Sequence, residues 1–154
     1  MKSRHRSREI ALQILYQHDL IAHSSGQRMP EAHQIIEGLK YHFDYFAVDP
    51  ELREFSAELV AGTLSRLSEL DPLLEKQASH WKVSRMSSVD RCLLRMALFE
   101  MLFIQDTPRS VVIDEAVELA KQFGTEDTPS FINAILDHIS VPAEKIPVAA
   151  HSSS

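Results

Sequence analysis

Four cations open the chain before any acid appears: Lys2, Arg4, Arg6 and Arg8 all precede Glu9, with His5 among them. On an extended or helical arm each can reach a phosphate, and guanidinium groups also stack on exposed bases. Four such contacts to single-stranded nucleic acid give a log-log salt slope of roughly −3, at about −0.7 per contact. Tyr16 lies two helical turns beyond Arg8, near enough to the basic end to offer one base a stacking platform. The same residues also read as a solubilising terminus with Tyr16 as a core ring, and the pattern alone leaves both open.

A second group of charges falls in or near the most apolar part of the sequence. Arg91 and Arg95 share a helix face one turn apart, while Asp90, Glu100 and Asp127 bring carboxylates to the same region. Charges withdrawn from water cost several kcal/mol unless paired, so these side chains face either one another, as in an Arg95–Glu100 contact, or a partner protein.

Catalytic and metal-binding patterns are missing. The chain has no glycine-rich phosphate loop, HExxH, GxSxG or DxDxDG. The eight histidines are scattered, and His18 and His23, five apart, point to different helix faces. No metal or cofactor is therefore expected. Cys92 sits inside an apolar segment with no neighbouring histidine, as a core thiol does. The pairs Asp114–Glu115 and Glu126–Asp127 suit helix first turns, where the helix dipole attracts carboxylates, better than acid/base work. The expectation is a protein that is not an enzyme.

These residues must be held by helices. From Arg8 to about Ala22, Ala11, Ile14, Leu15 and Ile21 recur with the amphipathic period, and the basic arm opens or extends that helix. SSGQRMP (24–30) interrupts it. Pro30 and Glu31 then suit the first turn of a second helix carrying Ile35, Ile36, Leu39 and Phe43. Asp49-Pro50 and Asp71-Pro72 repeat one start signal, a capping side chain before a proline whose missing N–H costs nothing there. The first opens a third helix on Leu52, Phe55, Leu59 and Leu70; the second opens a shorter one, with Trp81 near its end. Ser87 or Ser88 caps the densest segment, Val89–Ile104, which should be central because it is apolar on nearly all sides. After Thr107-Pro108 a clean amphipathic helix runs from Val111 to Phe123 and stops at Gly124 in the left-handed position. TEDTP (125–129) leads into a last helix on Phe131, Ile132, Ile135, Leu136 and Ile139.

No segment alternates with period two long enough to make a strand, so the fold class is all-α: a single-domain bundle of about seven helices over residues 1–140, followed by a mobile tail, 141–154. The chain has 154 residues, 44% of them apolar and 25% charged, enough to hold one core without disulfides. One cysteine fits a reducing compartment, no apolar run reaches the roughly 20 residues of a membrane span, and a signal-peptide core is missing, so the expected location is cytoplasmic. The net charge of −6 argues against general affinity for nucleic acid and makes the local basic arm the feature that matters.

Three segments together, RHRSREIALQILYQHDL (4–20), VDRCLLRMALFEML (89–102) and VVIDEAVELAKQFGTEDTPSFINAILDHI (111–139), resemble the transcription antitermination protein NusB family in order and spacing. The resemblance implies a helical RNA-binding protein that pairs with NusE, a small-subunit ribosomal protein. It also implies binding to the boxA element of nascent ribosomal RNA and support for an antitermination complex on RNA polymerase. Carried over by position, it assigns RNA binding to Lys2, Arg4, Arg6, Arg8, Tyr16, Phe123, Asp127 and Phe131, and partner binding to Asp90, Glu126 and Asp127. Gly124 completes the Phe-Gly-x-Glu-Asp motif.

The sequence departs from the family pattern at Pro129-Ser130, where relatives often carry a polar or basic pair, and at His5, often arginine. Both departures imply RNA binding that is weaker or more dependent on the partner. Asn133-Ala134 replaces the usual Asn-Gly, which favours helix. Two other readings stay open. Similar helical domains precede the catalytic domain of some ribosomal RNA cytosine methyltransferases, although this chain leaves no room for a methyl-donor fold. The other is a helical interaction module that binds only protein, as a homodimer that hides the arm.

Overall fold

The apolar spacing resolves into seven α-helices in the computed structural model, which describes residues 2–25, 32–78, 81–142 and 145. The side chains of residues 2, 3, 24, 25, 32 and 33 lie outside that description. In chain order the helices are α1 (Lys2–Ser25), α2 (Ala32–Tyr45), α3 (Pro50–Ser65), α4 (Leu67–Gln77), α5 (Ser88–Phe103), α6 (Arg109–Phe123) and α7 (Thr128–Asp137), with one 3₁₀ turn at Val83–Arg85. No strand occurs among the described residues. The chain groups into two compact units, Met1–Leu67 and Ser68–Ser154. The break coincides with Arg66, whose φ of −122° and ψ of 20° end α3 one residue before α4 begins.

In the first unit α1 and α2 both pack on α3. Ile10, Ala11, Ile14 and Leu15 of α1, Ile35, Leu39 and Phe43 of α2, and Phe55, Leu59 and Val60 of α3 are buried, at the three- and four-residue spacings that put them on one stripe of each helix. Two residues placed on these stripes by period alone, Ile21 and Ile36, are instead exposed. Pro50 occupies the first turn of α3 as expected. Asp49 contributes through its main chain, whose carbonyl accepts from Leu52 N at 3.0 Å, and makes no side-chain cap.

In the second unit α5 packs against α6 and α7, which also pack on each other. Nearly every α5 side chain from Arg91 to Phe103 is buried, and the Phe99 and Phe103 rings stack at 5.2 Å. The Ser87 hydroxyl caps this helix, accepting from Asp90 N at 3.2 Å. Arg109, in the first turn of α6, donates to the carbonyls of Leu136, Asp137 and Ile139, at and just beyond the end of α7, where carbonyls outnumber helix donors.

Three boundaries differ from the sequence expectation. α4 starts at Leu67, so Leu70 belongs to it rather than to α3, and Pro72 lies inside the helix, where it removes one intrahelical donor. Asp71 does not cap; its carboxylate receives both arms of the Arg95 guanidinium, at 2.9 and 2.8 Å. Gly124 ends α6 with φ −97° and ψ −169°, extended rather than left-handed. Most of the expected tail lies outside the described residues. Within it, the Lys145 ammonium donates to the carbonyls of Glu100, Ile104 and Thr107, filling acceptors at the end of α5, and burial lowers its pKa from 10.5 despite the nearby Glu100 and Asp106.

Candidate nucleic-acid interface

The basic arm is helix. α1 begins at Lys2, and two reciprocal hydrogen bonds dock its first turns on α3: Ser7 Oγ donates to Leu52 O at 3.0 Å, and Ser56 Oγ donates to Ser7 O at 2.8 Å. The four cations then part company. Arg8 is buried, 5.3 Å from the Phe55 ring centre, and Arg4 lies over the same ring at 4.3 Å while staying half-exposed. Arg6 points to solvent, paired loosely with Glu9 at 3.4 Å, and His5 Nε2 approaches the other Glu9 oxygen at 3.4 Å. The Lys2 side chain lies outside the described residues. Alternating cations on a 3.6-residue period cannot all face one way: Arg4 and Arg8, one turn apart, both lie against Phe55, Arg4 half-exposed and Arg8 buried, while Arg6 is presented to solvent. Tyr16 is 37% exposed, which rules out a core ring. It stands about 12 Å along the axis from Arg8 at 1.5 Å per residue.

The second unit gathers another part of the expected set. Asp90, Asp127 and Phe131 line one open pocket of about 250 Å³, together with Trp81, Arg85 and Thr128. Trp81 and Phe131 meet edge to face at 6.1 Å, and Trp81 is exposed. Asp90 Oδ1 is buried with no hydrogen-bond partner among the described residues, so an acceptor waits in the wall. The floor is set by the α6–α7 connection, in which buried Thr128 accepts from Thr125 N at 3.0 Å. Arg91 secures the opposite wall, donating to Val83 O at 3.0 Å and Met86 O at 2.7 Å, and so fixes the 3₁₀ turn that carries Arg85.

Phe123 and Glu126 do not line this pocket; Phe123 is half-buried and Glu126 exposed. Arg91 and Arg95, weighed as interface residues, instead serve the interior of this unit. Trp81 and Arg85 were missed as site residues. Their signal was an aromatic four residues before an arginine, just ahead of the Ser87 cap, an interleaving of ring and cation suited to nucleic acid or an anionic partner.

Cations on α1 in one unit, and a pocket of carboxylates and rings in the other, are the candidate surfaces of a small all-helical protein. The NusB family profile matches residues 5–141, and the chain belongs to that family. It is 39% identical to the transcription antitermination protein NusB of Geobacter sp. (strain M21) over 143 residues, covering 91% of this chain and 95% of that one. Its identity to the NusB of Geotalea daltonii (strain DSM 22248 / JCM 15807 / FRC-32) is 41% over 148 residues, with the same coverage. Among solved structures, T. maritima NusB superposes with a TM-score of 0.73 at 33% identity, over 88% of this chain and 89% of that chain. A crystal structure of the antitermination factors NusB and NusE in complex with dsRNA shares the fold, with a TM-score of 0.73 at 24% identity over 90% of this chain and 96% of that one.

Proposed function

We propose that this protein is an RNA-binding transcription antitermination factor without catalysis of its own, acting with NusE on the boxA element of nascent ribosomal RNA and in the antitermination complex on RNA polymerase. The observation that carries this reading is the docked basic helix of a family member, with Arg6 and Tyr16 exposed and Arg4 half-exposed, on a chain of net negative charge. A net charge of −6 disfavours bulk RNA, so binding concentrates where cations are ordered beside a ring. Because α1 is already helical and pinned through Ser7, little ordering entropy opposes binding at the arm.

The pocket of the second unit supplies the complementary half. Asp90, with an acceptor oxygen that meets no donor among the described residues, and Asp127 suit a cationic partner segment, as NusE would provide, while Trp81 and Phe131 offer ring faces and edges. Phe123 and Glu126 belong to the surface around the motif. The proposed location is the cytoplasm, where nascent ribosomal RNA is made; no helix among the described residues is long and apolar enough to cross a membrane.

The test is binding of labelled boxA RNA by the full chain carrying Arg4→Glu and Arg6→Glu. Arg8 is left alone because it is buried. Loss of binding with an unchanged helical spectrum supports the reading, and unchanged binding removes the arm from it.

A further inference from the structure

The C-terminal end of α2 carries a cluster of rings that the arm and the pocket leave unused. Tyr41, Tyr45 and Phe46 are 73%, 72% and 60% exposed. Tyr41 and Tyr45 stack at 6.3 Å and 19°, Phe46 meets Tyr45 edge to face at 4.9 Å, and His42 lies 4.7 Å from Phe46. Three large rings held in water by a small unit forgo the free energy their burial would give.

The cluster is held in place rather than dangling. α2 ends with Ala47 at φ 51°, Val48 N donates back to Phe43 O at 2.9 Å, and Ala47 N donates to Asp44 O at 3.2 Å, the paired bonds of a left-handed helix stop. Arg53 of α3 clamps the same end, donating to Val48 O at 2.8 Å, Phe43 O at 3.2 Å and Asp44 Oδ1 at 2.7 Å.

On one side of His42 and Phe46 lies a pocket of about 500 Å³, on the other a pocket of about 430 Å³. The first is walled by Arg6, Gln13 and Gln17 of α1, with Asp49 opposite. Residues 6, 10, 13 and 17 follow one another at four, three and four, so they form a single stripe about 16 Å long that reaches His42 and Phe46, while Tyr41 and Tyr45 line the second pocket, which shares Gln17, His42 and Phe46 with the first. At about 3.4 Å per stacked nucleotide, that length serves several bases. The stripe begins at the exposed cation of the arm and continues in two carboxamides, which can donate to and accept from base edges. Asp49 turns phosphates away from its side, leaving the Arg6 side for the backbone and the rings for the bases.

We infer that the Tyr41–Tyr45–Phe46 shelf is a base-stacking subsite for unpaired RNA flanking the segment held by the basic arm. This rests on the RNA-binding reading above and extends it to a second surface of the same unit. An apolar peptide or a second copy of the chain would bury the rings equally well. Continuity with Arg6 and a wall of Gln13 and Gln17 favour a polar strand with flat bases.

The experiment compares the full-length protein with its Tyr41→Ala, Tyr45→Ala variant, both rings being exposed enough for the fold to tolerate their loss. The probes are boxA RNA and the same RNA carrying a short run of unpaired uridines at its 5′ or 3′ end, with NusE present. The parent protein should bind one extended RNA about five-fold or more tightly than the unextended one, the variant should lose that gain, and both should bind the unextended RNA alike. A gain that survives in the variant, or no gain at either end for the parent, overturns the subsite while leaving the RNA-binding reading standing. Failure of the parent to bind unextended boxA RNA overturns that reading and the subsite with it. A parent dimer that the variant dissociates, with the extension gain unmoved, reassigns the shelf to contact between copies and overturns the subsite.

Discussion

Gly124 and Thr128 approach so closely that a Cβ built on the glycine would lie 2.5 Å from the Thr128 Cβ and 2.6 Å from its Oγ1. The glycine is required by space, since its φ of −97° is open to any residue. Thr128 is buried and its hydroxyl accepts from Thr125 N, so it cannot simply swing away. Gly124→Ala should therefore push the α6–α7 connection apart and cost about 1–3 kcal/mol, the usual range for overpacking. Urea denaturation would measure this, and NusE binding should weaken alongside if the same turn holds Asp127 for the partner as proposed above.

Ala47 presents the opposite case, a residue other than glycine in the left-handed region. Ala47→Gly removes a cost of about 1 kcal/mol in the folded state, partly offset by the greater freedom of glycine in the unfolded chain. A net gain of a few tenths of a kcal/mol in chemical denaturation is expected, with RNA binding unchanged.

Arg95 and Asp71 form a two-armed ion pair that is mostly shielded from water. Asp71→Ala leaves the guanidinium without its main acceptor and should destabilise by about 1.5–3 kcal/mol. The double-mutant cycle with Arg95→Ala should show a coupling of about 1 kcal/mol or more. Near-additive single effects would mean that the pair contributes little.

Stability should also fall in mild acid. Burial lowers the pKa of His18 below 6.5, with repulsion from His42 adding to it, and burial lowers His42 as well. The folded state thus resists protons that the unfolded chain accepts. Their neutral forms cost nothing above pH 6.5, and stability is lost as pH falls below that value and through the depressed folded values. Denaturation midpoints measured between pH 8 and pH 5 should decline on the acid side, and His18→Gln should flatten part of that decline.

Much of the scaffold was legible because helix signals are local. The Ser87 cap, Pro50 in a first turn and the apolar density of α5 appear where the sequence places them. The misreadings involve side-chain partners that local helix signals do not reveal, one distant in sequence and one across a turn. Asp71-Pro72 looks like a helix start until Arg95, 24 residues on, claims the carboxylate. Gly124 looks like a left-handed stop until Thr128 folds against it. Within the candidate site, only some of the expected residues come together. Asp90, Asp127 and Phe131 converge on one pocket, yet Trp81 and Arg85 join them only through the turn fixed by Arg91. Arg8 resembles its neighbours in sequence, and its burial is what marks it as structural.

That distinction within the arm separates binding from stability. Arg8→Ala should destabilise the first unit by about 1–2 kcal/mol through lost packing and cation–π contact. Arg6→Ala should leave stability within about 0.5 kcal/mol, since an exposed pair with Glu9 contributes little, and should weaken RNA binding instead.

The central claim is that the cations at the start of α1 meet RNA phosphates, and the salt dependence of boxA binding tests it most directly. With Arg8 withdrawn, three contacts from Lys2, Arg4 and Arg6 give a log-log slope of about −2 for single-stranded RNA. Arg4→Glu with Arg6→Glu should bring that slope close to zero, with NusE absent so that only this chain is read. A slope near zero for the unaltered protein, or one that the double charge reversal leaves in place, would contradict the account.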